Sequence, residues 1–182
     1  MSVRLLHLLG SPVLRQRAEP VAVVDDAARR LVADLFETMY AAKGVGLAAN
    51  QIGLARRIAV VDVGDETPQP IVLINPVIAH RGDETDVAEE GCLSVPEIFG
   101  DVERPVGVVL EALDRDGQPY RLETTGYQAR AIQHEIDHLD GVLFLDHLSA
   151  VKRALLLAKW KRLRKGESGH LKEVTPQPAG EL

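Results

Sequence analysis

The chain has 182 residues, 46% apolar and 26% charged, with 15 Gly, 10 Pro and one Cys, which excludes a collagen, a coiled coil and a wholly disordered polymer. At this length about 70% of the unfolded surface can be buried, enough for one core, and Cys92 has no partner for an intramolecular disulfide. The net charge of −6 is uneven: seven bases and no acid lie between His147 and Gly166, leaving 14 bases against 27 acids elsewhere, a balance that excludes a general nucleic-acid coat and points to one local anionic partner.

From 26 to 42 the apolar residues Leu31, Val32, Leu35, Phe36 and Met39 recur at helical spacing; Asp25 or Asp26 can cap the first turn, and Gly44 stops it. Residues 57–63, 71–74 and 106–113 are short β-branched runs bounded by Gly, Pro, Asn or Asp, the pattern of buried strands. Asp114-Arg115-Asp116-Gly117 reads as a hairpin turn into a strand over 118–124. No ten-residue helix separates most of these strands, so antiparallel pairing is favoured over a βαβ series. A second helix is predicted from 126 or 127 to 139, ending near Gly141. A third covers 149–165, with Val151, Leu155 or Leu156, and Ala158 facing inward. Beyond Gly166 the composition turns polar, so 167–182 reads as a frayed tail on a single domain spanning 1–166.

Three segments carry chemistry. In His134-Glu135-Ile136-Asp137-His138 the two imidazoles sit about 40° apart around a helix, which makes a metal clamp with Glu135 beside it as a general base. The alternative is a solvated, charge-rich turn, although Ile132, Ile136 and Leu139 set the stretch against a core. A catalytic site needs a third ligand and an open position for water. The downstream options of zinc proteases fail here, because position 144 is Phe144 and 149–165 holds no acid.

Cys92, in Glu90-Gly91-Cys92-Leu93-Ser94, is a strong ligand as a thiolate, although a lone cysteine reads more readily as a small core residue. Gly44-Val45-Gly46-Leu47-Ala48-Ala49-Asn50-Gln51 matches G-x-G-x-x-A. A dinucleotide fingerprint must follow a strand and open a helix, whereas this one follows a helix, so that reading is rejected. The glycines fit a backbone that approaches a ligand, with Gln51 offering an amide donor.

In this order and spacing the three segments closely resemble the motifs of the peptide deformylases, from the N-terminal helix through the basic C-terminal helix. The resemblance implies an α+β fold, with antiparallel β-sheets packed around a central metal-binding helix and helices at both ends. It implies hydrolysis of the formyl group from the N-terminal formyl-methionine of nascent polypeptides. Cys92, His134 and His138 would then bind one divalent metal with water in the fourth position, generally Fe2+ in the family, with Ni2+ or Zn2+ as substitutes. Glu135 would accept the water proton and return it to the departing amine, while the Gln51 amide and the Leu93 main-chain N–H would meet the oxyanion. Val45, Gly46 and Gly91 would pair with an extended substrate backbone. Val45, the stem of Glu90, Tyr127 and Arg130 would wall a methionine pocket.

Some relatives are apolar where Tyr127 and Arg130 stand, and some carry a base at the place of Phe99. Asp137 can orient a ligand or serve as a solvated cap. His7, His80, His147 and His170 lack ligand spacing and are set aside. The basic helix over 149–165 reads equally as a solvated face, and the resemblance implies ribosome contact through it, with neither a membrane nor specific DNA as partner. A single thiol and no run of 18 apolar residues fit a cytoplasmic protein. Two rival readings remain: a metalloprotease, which would not need Cys92, and a non-catalytic metal-binding or ribosome-binding module.

Overall fold

The structure is a computed structural model that describes residues 2–64 and 70–175. The chain opens with a short strand, β1 (Leu6–His7), and a 3₁₀ turn at Pro12–Arg15. Asp25 then accepts a hydrogen bond from the Ala28 N–H at 2.8 Å and starts α1 (Asp26–Ala41). The helix stops through Lys43, which is left-handed at φ 57°, with the Gly44 N–H bonded to the Met39 carbonyl. The stop expected at Gly44 therefore falls one residue earlier, on a lysine.

β2 (Gly46–Ala48), β3 (Ile58–Val61) and β4 (Ile71–Arg81) follow. β5 (Thr85–Cys92) and β6 (Val95–Pro105) form a separate hairpin, after which β7 (Gly107–Leu113) and β8 (Pro119–Thr125) rejoin the first sheet. That antiparallel sheet has five strands in the order β2-β3-β4-β7-β8. α2 (Gly126–Leu139) and α3 (Ala150–Leu163) complete the helices, and β9 (Leu171–Lys172) returns to pair with β1. The sheets surround the helix that carries the His-Glu segment, as expected.

Strand alternation sorts the side chains between two cores. Leu47, Ile58, Val60 and Ile74 pack with Leu31, Leu35 and Met39 of α1. Ala48, Ala59, Val61 and Leu73, on the other face, pack with Ile132, Ile136 and Leu139 of α2. β3 is sandwiched between the helices, and so it reads in the sequence as an unbroken apolar run.

Four departures from the sequence reading have physical reasons. β4 continues past residue 74, because Asn75 adopts φ 50° and the pairing with β7 shifts register around Pro76. The β5–β6 hairpin had no counterpart in the reading, since most of β5 is exposed and only Val95, Ile98 and Val102 of β6 enter a core, with Phe144, Leu148 and Trp160. On α3 the inward residues are Leu156, Leu157 and Trp160, whereas Val151 is 72% and Leu155 66% exposed and Ala158 is also outside. Apolar residues ring much of that helix, and the bulk of Trp160 selects the seam. Finally, the tail expected to fray from 167 pairs through β9 with the open edge of β1, and Val174 packs on the first core; residues 176–182 lie outside the described residues.

Candidate metal centre

α2 buries Ala129, Ile132, Ile136 and Leu139 and so fixes the directions of His134, Glu135 and His138. Across from it, the β5–β6 register shifts between Gly91 and Cys92, a bulge that turns the thiol off the regular ladder. The Cys92 Sγ lies 3.1 Å from the His138 Nε2, and one ligand atom each from Cys92, His134 and His138 lie within 4.8 Å of one another. The His134 Nδ1 is 3.0 Å from the Glu90 Oε2, a partner that orients the ring and commits Nδ1, leaving Nε2 for the cluster.

Behind the ring is a buried ion network. Arg104 donates Nε to the Glu90 Oε1 at 2.6 Å and Nη2 to Oε2 at 2.9 Å, and Arg130 donates Nη1 to Oε1 at 2.8 Å. Arg104 also donates to Asp137 at 2.8 Å, and Asp137 meets the His147 Nε2 at 2.7 Å. Burial pushes the Glu90 carboxyl up, but hydrogen bonds from Arg104 and His134 outweigh it and hold that carboxyl far below the usual range. Burial would lower His134, yet Cys92 and Glu90 raise it to about 10. His138 is driven well below its ordinary value by burial and by the neighbouring His134. Burial lifts Glu135 to about 7.

These residues fit a divalent cation. A thiol and two imidazoles converge, and the anionic groups that favour a proton on His134 favour a metal in its place. Among the described residues the Glu135 Oε2 is buried there without a hydrogen-bond partner.

The neighbouring motif completes the site. Gln51 is buried; its Oε1 accepts the Ala48 N–H at 2.9 Å, while Nε2 is 3.2 Å from the Ser94 Oγ and 3.5 Å from the Cys92 Sγ. That clamp aims the NH2 group at the thiol side. A Cβ at Gly46 would stand 2.3 Å from the Glu135 Oε1, so glycine is what lets β2 lie against this carboxylate. Every residue singled out for substrate, catalysis or metal, except His138, lines one cleft of about 440 Å³.

Two of those residues behave differently from expectation. Glu90 is more than an apolar stem, since its carboxylate is engaged by two guanidiniums and a histidine. The Arg130 charge is answered by Glu90, by the Val102 carbonyl and by Asp86. Arg104 went unnoticed in the sequence. Its one signal is period-2 spacing from the core residue Val102 on the same strand, which places a charge on an inward face. His147, set aside for its spacing, stands at the end of the network through Asp137.

A family model described as "Polypeptide deformylase" matches residues 3–154. The chain belongs to the peptide deformylase family. It is 54% identical over 149 residues to the peptide deformylase of Chromohalobacter salexigens, covering 82% of this chain and 88% of that one. It is 47% identical over 170 residues to that of Mesorhizobium japonicum, covering 92% and 97%. Among solved structures, the peptide deformylase of Ehrlichia chaffeensis in complex with actinonin superposes with a TM-score of 0.87 at 39% identity, over 92% of this chain and 100% of that chain. The peptide deformylase of Synechococcus elongatus, also with actinonin, gives 0.80 at 44% identity, over 85% of each chain. The chain is thus an enzyme of the deformylase family, and the antiparallel sheets and three helices of its α+β fold match those of the solved members.

Proposed function

We propose that the enzyme hydrolyses the formyl group from formyl-methionyl nascent peptides with one divalent metal held by Cys92, His134 and His138. Ferrous iron is the expected ion, with nickel or zinc able to substitute. The observation that carries this reading is the convergence of those three donors within 4.8 Å, beside a buried carboxylate that has an unpartnered oxygen. A cation at this point supplies Lewis acidity toward water and the formyl carbonyl.

The chain's own groups do the rest. Glu135, raised to about 7 by burial, is poised to take a proton from the attacking water and deliver it to nitrogen. Water adds to the formyl carbon, the C–N bond breaks, and formate and a free amine leave. The Gln51 NH2 group, fixed by Ala48, and the Leu93 N–H donate to the oxygen where negative charge grows. Val45, Gly46 and Gly91 offer backbone to an extended peptide, a mode indifferent to side-chain identity. The methionine side chain enters between Val45, Tyr127 and the stems of Glu90 and Arg130.

Anaerobic assay on formyl-Met-Ala-Ser after metal analysis tests this, comparing iron, nickel and zinc. Formate release with iron or nickel is expected. Cleavage of internal peptide bonds, or no formate with any ion, overturns the reading. Glu135→Ala should keep the metal and lose most turnover, and an undiminished kcat would remove Glu135 from the reaction.

α3 is proposed as the ribosome contact of a cytoplasmic enzyme. Its bases flank Val151 and Leu155, both largely exposed, and among the described residues no helix is long and apolar enough to cross a membrane. Truncation before Val151 should abolish ribosome co-sedimentation at low salt, where phosphate contacts are strongest; unchanged co-sedimentation would refute the contact.

A further inference from the structure

Gly141, at φ 75°, follows α2 in a tight reversal, with the Val142 N–H bonded to the Asp137 carbonyl at 2.9 Å. The chain folds back beside the helix it has just left, and the 3₁₀ turn Phe144–His147 comes to lie against His134 and Asp137. Asp146 fastens the turn, accepting from the Leu143 N–H at 2.9 Å and from Arg15. Phe144 is buried in the third core, against which Cys92 also packs.

Two side chains of this turn meet groups of the site. The Phe144 ring stacks on the His134 imidazole, with centroids 6.3 Å apart and planes at 22°, within the range of favourable aromatic pairs. The His138 ring meets His134 edge-on at 5.0 Å, and Glu90 holds the His134 Nδ1. At the end of the turn, the His147 Nε2 lies 2.7 Å from the Asp137 Oδ2, the same oxygen that accepts the Arg104 Nη1 at 2.8 Å. An ionised carboxylate can only accept, so this Nε2 carries a hydrogen. Arg104 turns its Nε and Nη2 to Glu90. Because a guanidinium is a rigid planar fork, fixing its Asp137 side fixes the plane in which Glu90 is held.

We infer that this turn is a two-point brace for the metal site. Phe144 sets the plane of the His134 ring, and His147, acting through Asp137, Arg104 and Glu90, sets the rotation of that ring within its plane; both are positioning residues. This rests on the metal-binding reading above. The His147 and Asp137 side chains are 35% and 24% exposed, so their pair adds little to folding stability. What it constrains is direction.

The test loads the full-length enzyme with cobalt(II), whose visible d–d bands report ligand geometry, and measures affinity by chelator competition. His147→Ala should weaken cobalt binding by about three- to fivefold, below the about 10- to 100-fold of a group bonded directly to a ligand, and should shift the bands. His147→Gln, which keeps an N–H donor for Asp137, should restore both. Phe144→Leu keeps most of the buried apolar volume and should weaken binding by about two- to tenfold, the worth of one aromatic pair, again with shifted bands. A residue that served packing alone would lower the unfolding midpoint and leave the bands in place. Unchanged bands and affinity in either folded variant, or failure of His147→Gln to restore them, overturns the brace; His147 decides alone if Phe144→Leu does not fold. If the unsubstituted chain binds no cobalt, the metal-binding reading falls and the brace falls with it.

Discussion

Gly46 shows how little freedom the site has. A methyl group there would meet the Oε1, Cδ and Cγ atoms of Glu135 at 2.3, 2.8 and 2.9 Å, and because the side chain is buried it must swing away from the place it holds beside the Cys92, His134 and His138 cluster. Gly46→Ala should therefore fold normally by circular dichroism while kcat falls by about 10²-fold, the usual cost of displacing a reacting group by about an ångström. Gly91 is the contrast, since the atoms nearest a Cβ there belong to the ring of Phe99, which is 53% exposed and has room to move. Gln51→Leu removes one donor and should lower kcat by about 10²-fold with KM little changed. Glu90→Gln removes the carboxylate shared by Arg104 and Arg130, which keep Asp137 and Asp86, so denaturant titration should show a loss below the about 3–5 kcal/mol of a wholly uncompensated buried charge. It should also weaken metal binding by about 10- to 100-fold in a chelator competition, because His134 loses its anionic partner. The residues of the Cys92, His134 and His138 cluster and Gln51 were legible as candidates because each sits in a short contiguous motif. Arg104 was not, since its partners Glu90 and Asp137 lie 14 and 33 residues away along the chain and no local pattern ties them.

The elements differ in how much of themselves they display in sequence. α1 and α2 each carry a periodic apolar stripe because each faces one side of the five-stranded sheet. The β5–β6 hairpin carries no such stripe; its order comes from cross-strand pairing and from the third core beneath it. Trp160 is the pin of that core and attaches α3 to the hairpin. Trp160→Ala should lower stability by about 3 kcal/mol, read as the midpoint of thermal unfolding. The deformylase rate measured well below that midpoint should change far less, because no residue of α3 lines the cleft.

Across the whole molecule, ion pairs of Arg4, Arg15 and Arg17 fasten the N-terminal segment to the rest, the last of them to Asp140 at 3.6 Å. Arg4 bonds to Asp34 of α1, and Arg15 to Asp146 beyond α2. Burial would raise the Asp34 carboxyl, but the hydrogen bonds from Arg4 and Ser2 hold it below the ordinary 3.8. Asp146 is likewise raised by burial and lowered further by Arg15 and the Leu143 N–H. Both carboxyls titrate lower folded than unfolded, so as pH falls the unfolded chain takes up protons first. Their contribution is complete above about pH 5, shrinks through pH 4, and vanishes below the depressed folded values. Unfolding midpoints should therefore drop over that range, and Asp34→Asn should flatten the drop. The α+β class was legible because strand runs without intervening helices leave antiparallel pairing as the simplest arrangement. The fate of the tail was not, because a two-residue strand is stabilised by a neighbour at the far end of the chain, which no local composition records.

That neighbour has a consequence for biogenesis. β1 precedes, and β9 follows, every other strand of the described residues, so on a translating ribosome the β1 edge must wait, unmatched, until β9 emerges. Because Lys172 arrives with β9, the candidate cleft of a newborn molecule lacks one of its lining residues until that strand has been made.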